Sequence, residues 1–233
     1  MKTFLIILFF FTGSSYSCTE KEAAIMPDTM AKKYTYLALG DSYTIGESVT
    51  ADENFPNQFT KMMSPAAVVE PARIIAKTGW TTDELEAGII TSQQAKPLLP
   101  SYDFVTLLIG VNNQYRGRTV DNYKTEFGEL LRKAIQYAGG RTDHVAVLSI
   151  PDWGVTPFAL GRDRARIARE IDDYNRANRE LAESYHIYYI DITPWTREAA
   201  TDYSLLAADG LHPSGKEYKR WAEQLSAFFK TKL

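Results

Sequence analysis

Four short segments of the chain each place small and polar residues directly after an apolar run. They are GDSYT at 40–44, KTGWTT at 77–82, GVNN at 110–113 and DGLHP at 209–213. The first segment holds a hydroxyl in Ser42, and the last holds the imidazole of His212 with the carboxylate of Asp209 three residues earlier. A hydroxyl, a base and a group that orients the base are the parts that acyl transfer at a serine requires. The segments predict this chemistry if the fold brings them together.

Each of these side chains has an expected role in such chemistry. Ser42 is the candidate nucleophile, because Gly40 allows a tight strand-to-helix turn that would expose the hydroxyl. His212 is the candidate base, since an imidazole can take and return a proton near neutral pH. Asp209 is close enough in sequence to accept a hydrogen bond from the imidazole and to fix its tautomer.

Acyl transfer also needs donors that stabilise a developing oxyanion. The candidates are the backbone N–H groups of Ser42 and Gly79 and the side-chain amide of Asn112. Glycine at position 79 is consistent with an N–H group that must be unobstructed. All three donors follow predicted strands, so we expect them at one edge of a sheet.

The elements that must position these residues alternate along the chain from Tyr34 onward. Apolar runs of strand length alternate with segments of helical period, a pattern typical of a parallel sheet covered on both faces. The predicted strands are 34–39, 72–77, 104–109, 144–150 and 187–192. The sequence therefore predicts an α/β fold, a three-layer α/β/α sandwich with a five-stranded parallel sheet. Ligands bind such sheets beyond the carboxyl ends of the strands, where the four segments lie.

Helix starts are predicted by two Ser/Thr-x-x-Glu patterns. Thr81 with Glu84 and Ser214 with Glu217 each have the spacing of a capping box, in which the two side chains satisfy backbone N–H groups at the helix start. Apolar side chains at helical spacing predict the buried faces of three longer helices, within residues 120–134, 167–185 and 218–229.

The four segments, in this order, resemble the four sequence blocks of the SGNH/GDSL hydrolases over nearly the whole chain after the N-terminal region. The resemblance implies a flavodoxin-like fold and a GDSL-type serine esterase or acylhydrolase with no metal or organic cofactor. It implies the following site residues: Ser42, Asp209 and His212 as the catalytic residues, and Ser42, Gly79 and Asn112 as the oxyanion hole. Asn113 departs from the family, which usually has Asp there, so the hydrogen bonding of this loop needs its own account.

The N-terminal region has a different character. Lys2 precedes an apolar run and then small polar residues up to Cys18, the layout of a secretory signal. Cys18 resembles the lipidated cysteine of a bacterial lipoprotein, although 15–17 depart from the commonest motif. We predict a signal peptide at 1–18, a tether at 19–33 and a hydrolase domain at 34–233. The mature protein would be exported to the bacterial cell envelope and held there by a lipid anchor rather than a transmembrane helix.

Composition and residue spacing argue against nucleic acid as a partner, against a disulfide and against a metal site. The formal net charge of −3 provides no basic field for nucleic acid. One cysteine allows no intramolecular disulfide. Three scattered histidines have no metal-ligand spacing, and His144 and His186 are predicted to be structural. Oligomeric state is left open.

The sequence also leaves functional alternatives open. The polar stretch after Ser42 favours short-chain or carbohydrate O-acyl esters, while lysophospholipase or lipase activity and acyl transfer to an alcohol are alternatives. Trp153 could line a pocket or serve only in packing. A phosphate-binding protein on a flavodoxin-like scaffold would leave DGLHP and Asn112 without a role, and an inactive scaffold protein would be expected to lack catalytic residues.

Overall fold

Strands and helices alternate along the part of the chain that the computed structural model describes, which is Met1 and residues 32–233. The strands are β1 (Lys33–Tyr34), β2 (Tyr36–Asp41), β3 (Val68–Val69), β4 (Arg73–Lys77), β5 (Phe104–Leu108), β6 (Val145–Leu148) and β7 (Tyr188–Ile190). The α-helices are α1 (Ser42–Ile45), α2 (Phe55–Met63), α3 (Thr82–Ala95), α4 (Val111–Tyr115), α5 (Val120–Tyr137), α6 (Arg164–Ser184), α7 (Thr193–Arg197) and α8 (Gly215–Lys230).

The predictions for the N-terminal region fall mostly outside the described residues. Apart from Met1, the predicted signal peptide with Cys18 is not covered, nor is the predicted tether up to residue 31. Lys33, the last residue of that tether, already belongs to β1. Across residues 32–233, we find no helix with the length and apolarity needed to span a bilayer.

The central sheet is parallel and five-stranded, with the order β4-β2-β5-β6-β7, which confirms the predicted fold class. Strands β2, β5 and β6 are buried along their whole length, which explains why they appear in the sequence as continuous apolar runs. A second parallel pair, β1 with β3, was not predicted. Strands of two residues are too short to produce a periodic signal.

Helices pack on the sheet in two groups. Helix α2 packs against α8, and their Phe59 and Phe229 place ring centroids 5.8 and 4.7 Å from that of Phe104 in β5. Helix α5 packs against α3 and α6, and its Tyr123 hydroxyl donates to the carbonyl of Ile109 at 3.0 Å. The sheet is therefore flanked by helices, as predicted.

Two local predictions were wrong because other hydrogen-bond partners replace the expected ones. The predicted strand 144–150 is shortened at its end because Asn175 binds both the N–H and the carbonyl of Ile150, at 2.8 and 3.0 Å. The capping box at the start of α8 does not form. Ser214 instead donates to the carbonyl of Ser204 at 2.7 Å, and Glu217 accepts from the indole of Trp221 at 2.9 Å. The capping box of α3, between Thr81 and Glu84, is confirmed.

The strand order places a crevice at the carboxyl ends of β2 and β5. From β2 the sheet grows to β4 on one side and to β5 on the other, so the connections diverge at this point. Parallel α/β sheets bind ligands at such a switch point. Ser42 follows β2 and Asn112 follows β5, so two of the predicted site residues flank the crevice.

Candidate active site

Ser42 is the first residue of α1, immediately after β2. Asp41 caps the helix, because its Oδ1 accepts a hydrogen bond from the N–H of Tyr43 at 3.0 Å. Gly40 is required by close packing, since a Cβ there would lie 2.4 Å from the carbonyl oxygen of Leu108. The tight turn predicted from the sequence is confirmed, but Ser42 is less exposed than expected: it lines a cleft with only 4 % of the residue exposed.

Asp41 carries a buried carboxyl directly before Ser42. Burial raises the pKa of Asp41 to about 7, although hydrogen bonds from Tyr43 N–H and the Asn112 amide oppose the rise. Its contact with Asn112 Nδ2 is long, at 3.4 Å. The carboxyl is fully buried and is not among the groups that line the cleft. Its contacts hold the turn and the Asn112 side chain.

Asp209 and His212 form a hydrogen-bonded pair on the loop before α8. Asp209 Oδ2 lies 2.6 Å from His212 Nδ1, and its Oδ1 accepts from the N–H groups of Leu211 and His212 at 3.0 Å each. Burial acts to raise the pKa of Asp209, but these hydrogen bonds and one from Ser48 outweigh it and lower the pKa to about 2. The carboxylate is therefore ionised throughout the neutral range.

An ionised carboxylate at hydrogen-bond distance requires His212 Nδ1 to be the donor. His212 Nε2 then carries the lone pair when the ring is neutral, as a general base must. Ser48 adds a second side-chain contact to this carboxylate, since its hydroxyl donates to Asp209 Oδ2 at 2.8 Å. The sequence does not predict this contact, because no local pattern links Ser48 to a residue as distant along the chain as Asp209.

Asn112 contacts the two segments that carry the other predicted oxyanion donors, Ser42 and Gly79. Its Nδ2 donates to the carbonyl of Trp80 at 3.0 Å, and Trp80 follows Gly79 on the loop after β4. Gly79 has a φ of +82°, a conformation that favours glycine. Arg116 Nη2 donates to the carbonyl of Gly79 at 2.6 Å, which holds the Gly79–Trp80 peptide in place.

One open cleft of about 430 Å³ brings most of the predicted site together. It is lined by Ser42, Tyr43, Val111, Asn112, Tyr115, Trp153, Phe158, Leu211 and His212. Asp209 reaches the cleft through its bond to His212, whereas Gly79 is not among the lining residues. The side-chain hydrogen bond of His212 in the described structure goes to Asp209, and none joins it to Ser42. Such nucleophile–base contacts are often long without substrate and tighten when it binds.

Besides Tyr43, which follows Ser42 directly, three aromatic side chains of this cleft were not on the predicted list. Trp153, whose role the sequence left open, lines the cleft. The position of Tyr115 could have been predicted from the sequence, because it lies one helical turn after Asn112 and therefore on the same face of α4. The position of Phe158 could not have been predicted in this way, since it lies in a short 3₁₀ turn with no periodic pattern.

Asn113 stands where the family usually has Asp, and its side chain makes two hydrogen bonds to Thr82. Its Oδ1 accepts from the N–H of Thr82 at 3.1 Å, and its Nδ2 donates to Thr82 Oγ1 at 2.6 Å. Thr82 Oγ1 in turn donates to Glu126. The clamp joins the start of α3 to α4, the helix that carries Asn112, and both Asn113 and Thr82 are fully buried.

We expect Asn113→Asp to lower the free energy of unfolding by about 1–3 kcal/mol, measured by urea denaturation. A carboxylate can accept but cannot donate, so the single proton of Thr82 Oγ1 would be shared between two acceptors, the new buried carboxylate and the partly exposed Glu126. The matched control is Asn122→Asp, since Asn122 also donates to Glu126, at 2.7 Å, but is exposed. A loss of similar size in the control would contradict the clamp.

The other two histidines lie outside the cleft, consistent with structural roles. His144 Nδ1 lies 2.6 Å from the carbonyl of Asp103, and its ring stacks on Phe104 with centroids 6.3 Å apart. His186 is exposed at the end of the turn after α6. Among residues 32–233 there is no group of three or more His, Cys, Asp or Glu side chains that could hold a metal ion.

Comparison with known proteins gives one family. Residues 38–220 match the family model of the GDSL-like lipase/acylhydrolase family. No curated protein matches the chain.

Solved structures with the same fold include several enzymes at low identity. An acetylxylan esterase from Geobacillus stearothermophilus has a TM-score of 0.63 at 18% identity, covering 84% of this chain and 93% of its own. A lipase/acylhydrolase from Enterococcus faecalis has a TM-score of 0.62 at 19% identity, covering 86% and 97%. A psychrotrophic esterase from Pseudoalteromonas sp. has a TM-score of 0.62 at 15% identity, covering 85% and 98%.

Proposed function

This chain belongs to the GDSL-like lipase/acylhydrolase family and is a carboxylic ester hydrolase, and from that premise we propose that it cleaves esters through an acyl-enzyme on Ser42. The observation that carries this proposal is the position of Ser42 and His212 in one cleft, with Asp209 bound to His212 Nδ1 at 2.6 Å. A nucleophile, a base and an orienting carboxylate are thereby available at one site.

In the first half of the reaction, Ser42 Oγ attacks the ester carbonyl while His212 Nε2 takes the hydroxyl proton. The bond between the carbonyl carbon and the alcohol oxygen then breaks, and His212 returns the proton to the departing alcohol. Asp209 stays ionised and stabilises the imidazolium that forms between these steps. Its lowered pKa supports this role.

In the second half, water attacks the acyl-enzyme. His212 takes a proton from the water, hydroxide adds to the acyl carbon, and the bond to Ser42 Oγ breaks as His212 returns the proton to it. The products are the free acid and the regenerated serine. An alcohol in place of water would give a new ester, so acyl transfer remains an alternative outcome of the same chemistry.

The oxyanion would be held by the backbone N–H groups of Ser42 and Gly79 and by the Asn112 amide. Support for Asn112 comes from its place in the cleft and from its contact with Trp80, which anchors the amide through one proton. The other proton makes only the long 3.4 Å contact with Asp41 and is the one that would turn to the oxyanion. Gly79 is supported by its position next to Trp80, although it does not line the cleft.

For the substrate, we propose short-chain or carbohydrate O-acyl esters. The support is the polar segment after the nucleophile, which lacks the apolar stretch expected of a lipase lid. Lysophospholipid or other lipid esters are the alternative. Hydrolysis of nitrophenyl esters from acetyl to dodecanoyl tests the proposal, with release of nitrophenol followed by absorbance. Cleavage confined to dodecanoyl would contradict short-chain specificity, and no cleavage at any length would contradict the esterase proposal for this series.

The same assay distinguishes hydrolysis from transfer when an acceptor alcohol is added. A hydrolase yields one free acid for each nitrophenol released. A transferase yields a new ester, detected by chromatography, at the expense of the acid.

We also propose that the protein is anchored in the bacterial envelope through lipidated Cys18, after removal of the residues before it. The support is the sequence pattern of residues 1–18. Mass spectrometry of the mature N-terminal peptide tests this proposal. A diacylglyceryl group on Cys18 is expected, and an unmodified peptide that starts elsewhere would contradict it.

A further inference from the structure

The rings of Tyr115, Trp153 and Phe158 form one side of the cleft, which we call the aromatic wall. The Tyr115 and Trp153 centroids are 5.2 Å apart and nearly perpendicular, at 69°. Phe158 lies 6.0 Å from Trp153 and 6.2 Å from Tyr115. These are the edge-to-face and tilted arrangements that aromatic clusters favour, so the rings support one another in position.

The polar atom of Trp153 is satisfied away from any ligand. Its indole Nε1 donates to Gln114 Oε1 at 2.7 Å, and Gln114 Nε2 donates to Glu170 at 2.7 Å. Glu170 is held in turn by Arg166 Nε at 2.7 Å. This chain of hydrogen bonds fixes the indole and leaves only its apolar surface for the cleft.

The rest of the lining offers few partners for a polar ligand. Tyr43, Val111 and Leu211 add apolar surface, and no carboxylate, lysine or arginine lines the cleft. Ser42, Asn112 and His212 are already assigned to the reaction. A charged headgroup against the wall would give up hydrogen bonds to water without gaining equivalent ones, at a cost of about 1–3 kcal/mol for each unsatisfied group. The wall therefore fits an apolar group.

Two rings of the wall still have apolar surface that a substrate could cover. Tyr115 is 46 % exposed and Phe158 is 48 % exposed, beside the candidate nucleophile. Tyr115 also lies one turn after Asn112 on α4, and Asn112 would hold the oxygen of the substrate's acyl group. A chain that leaves that carbonyl can therefore run along the wall.

On the basis of the proposed function, we infer that the aromatic wall binds the acyl chain and that the enzyme prefers medium acyl chains, of about four to eight carbons, to acetyl. Each methylene that the wall covers is expected to raise kcat/KM about fourfold. Because the cleft is open, methylenes beyond the wall remain in water and add nothing. The acyl specificity is therefore expected to rise from acetyl and then level off.

The test compares ethyl acetate with ethyl hexanoate, using the full chain in detergent and following acid release at constant pH. The wild type is expected to cleave the hexanoate with a kcat/KM up to about 10² higher. Phe158→Ala is expected to lower this hexanoate-to-acetate ratio about tenfold, and Tyr115→Ala is a second variant with the same direction. A ratio that both variants leave unchanged would overturn the inference.

Tyr203→Ala is the matched control, because it removes an aromatic ring that is also exposed but lies outside the cleft. Its ratio should equal that of the wild type. Hexyl acetate tests which side of the ester meets the wall. If Phe158→Ala slows hexyl acetate and spares ethyl hexanoate, the wall binds the alcohol and the acyl assignment is wrong.

A binding measurement separates this inference from the proposed function. Ser42→Ala should bind uncleaved ethyl hexanoate more tightly than ethyl acetate, measured by the change in tryptophan fluorescence, and adding Phe158→Ala should weaken hexanoate binding about tenfold. If the wild type cleaves neither ester but this binding pattern is seen, the proposed function fails and the wall assignment holds. If the esters are cleaved and neither binding nor the ratio depends on Phe158, the wall assignment fails alone.

Discussion

Replacing Ser42 with alanine is expected to lower kcat for ester cleavage by at least about 10⁴-fold, because the variant has no nucleophile to form the acyl-enzyme. The fold should be unaffected. Ser42 Oγ has no hydrogen bond to His212, and the helix cap at this turn is supplied by Asp41. The measurement is the nitrophenyl ester assay with each protein at matched concentration.

The matched control for this substitution is Ser101→Ala. Ser101 is exposed and lies outside the cleft, so its replacement should leave kcat within about twofold of the wild type. Urea denaturation should give the same midpoint for Ser42→Ala and for the wild type. A Ser42→Ala protein that keeps a tenth or more of the wild-type kcat would contradict the assignment of the nucleophile.

The second large effect is expected at Asp209. Asp209→Asn should lower kcat by about 10²- to 10⁴-fold, because a neutral amide neither stabilises the imidazolium nor holds His212 in the required tautomer. KM should change little, since Asp209 does not line the cleft. The control is Asp143→Asn, which removes an exposed carboxylate outside the cleft and should retain wild-type kcat. Equal losses in the two variants would contradict the role of Asp209.

The same substitution should change how stability depends on pH. The pKa of Asp209 is about 2 in the folded protein against an ordinary value of 3.8, so the folded state favours the ionised form. This contribution is fully present above about pH 4 and is lost as pH falls from about 4 to about 2. Asp209→Asn should therefore be less stable than the wild type at pH 5 and more nearly equal to it at pH 2, measured by urea denaturation at each pH. A difference that stays constant with pH would contradict the lowered pKa.

The sequence predicts the sheet and the relative position of Ser42 and Asn112 for a simple physical reason. Buried parallel strands require continuous apolar runs, and the carboxyl ends of such strands meet at one edge. Once β2 and β5 are recognised, Ser42 and Asn112 are expected on the same edge of the sheet, and the observed pairing of β2 with β5 makes them neighbours. The contact between Asp209 and His212 is also local, since the two residues share one short loop.

Other parts of the site depend on contacts that no local pattern encodes. Ser48 meets Asp209, and Gln114 orients Trp153, only because distant loops converge. The polar partners of Ser214 and Ile150, which are Ser204 and Asn175, also lie outside the local patterns, so those patterns failed to predict the structure. The sequence shows that Asn113 departs from the family pattern. Its clamp on Thr82 could not be predicted, because that contact depends on the relative position of α3 and α4.

The central claim is that Ser42 is the nucleophile, and covalent labelling tests it most directly. A fluorophosphonate reacts when a serine oxygen attacks phosphorus and fluoride leaves, with the serine proton passing to the base. After incubation of the wild type, peptide mass spectrometry is expected to find one phosphonyl group on Ser42, in step with the loss of esterase activity, and none on Ser42→Ala. Inactivation with the label on another residue, or undiminished labelling of Ser42→Ala, would contradict the account.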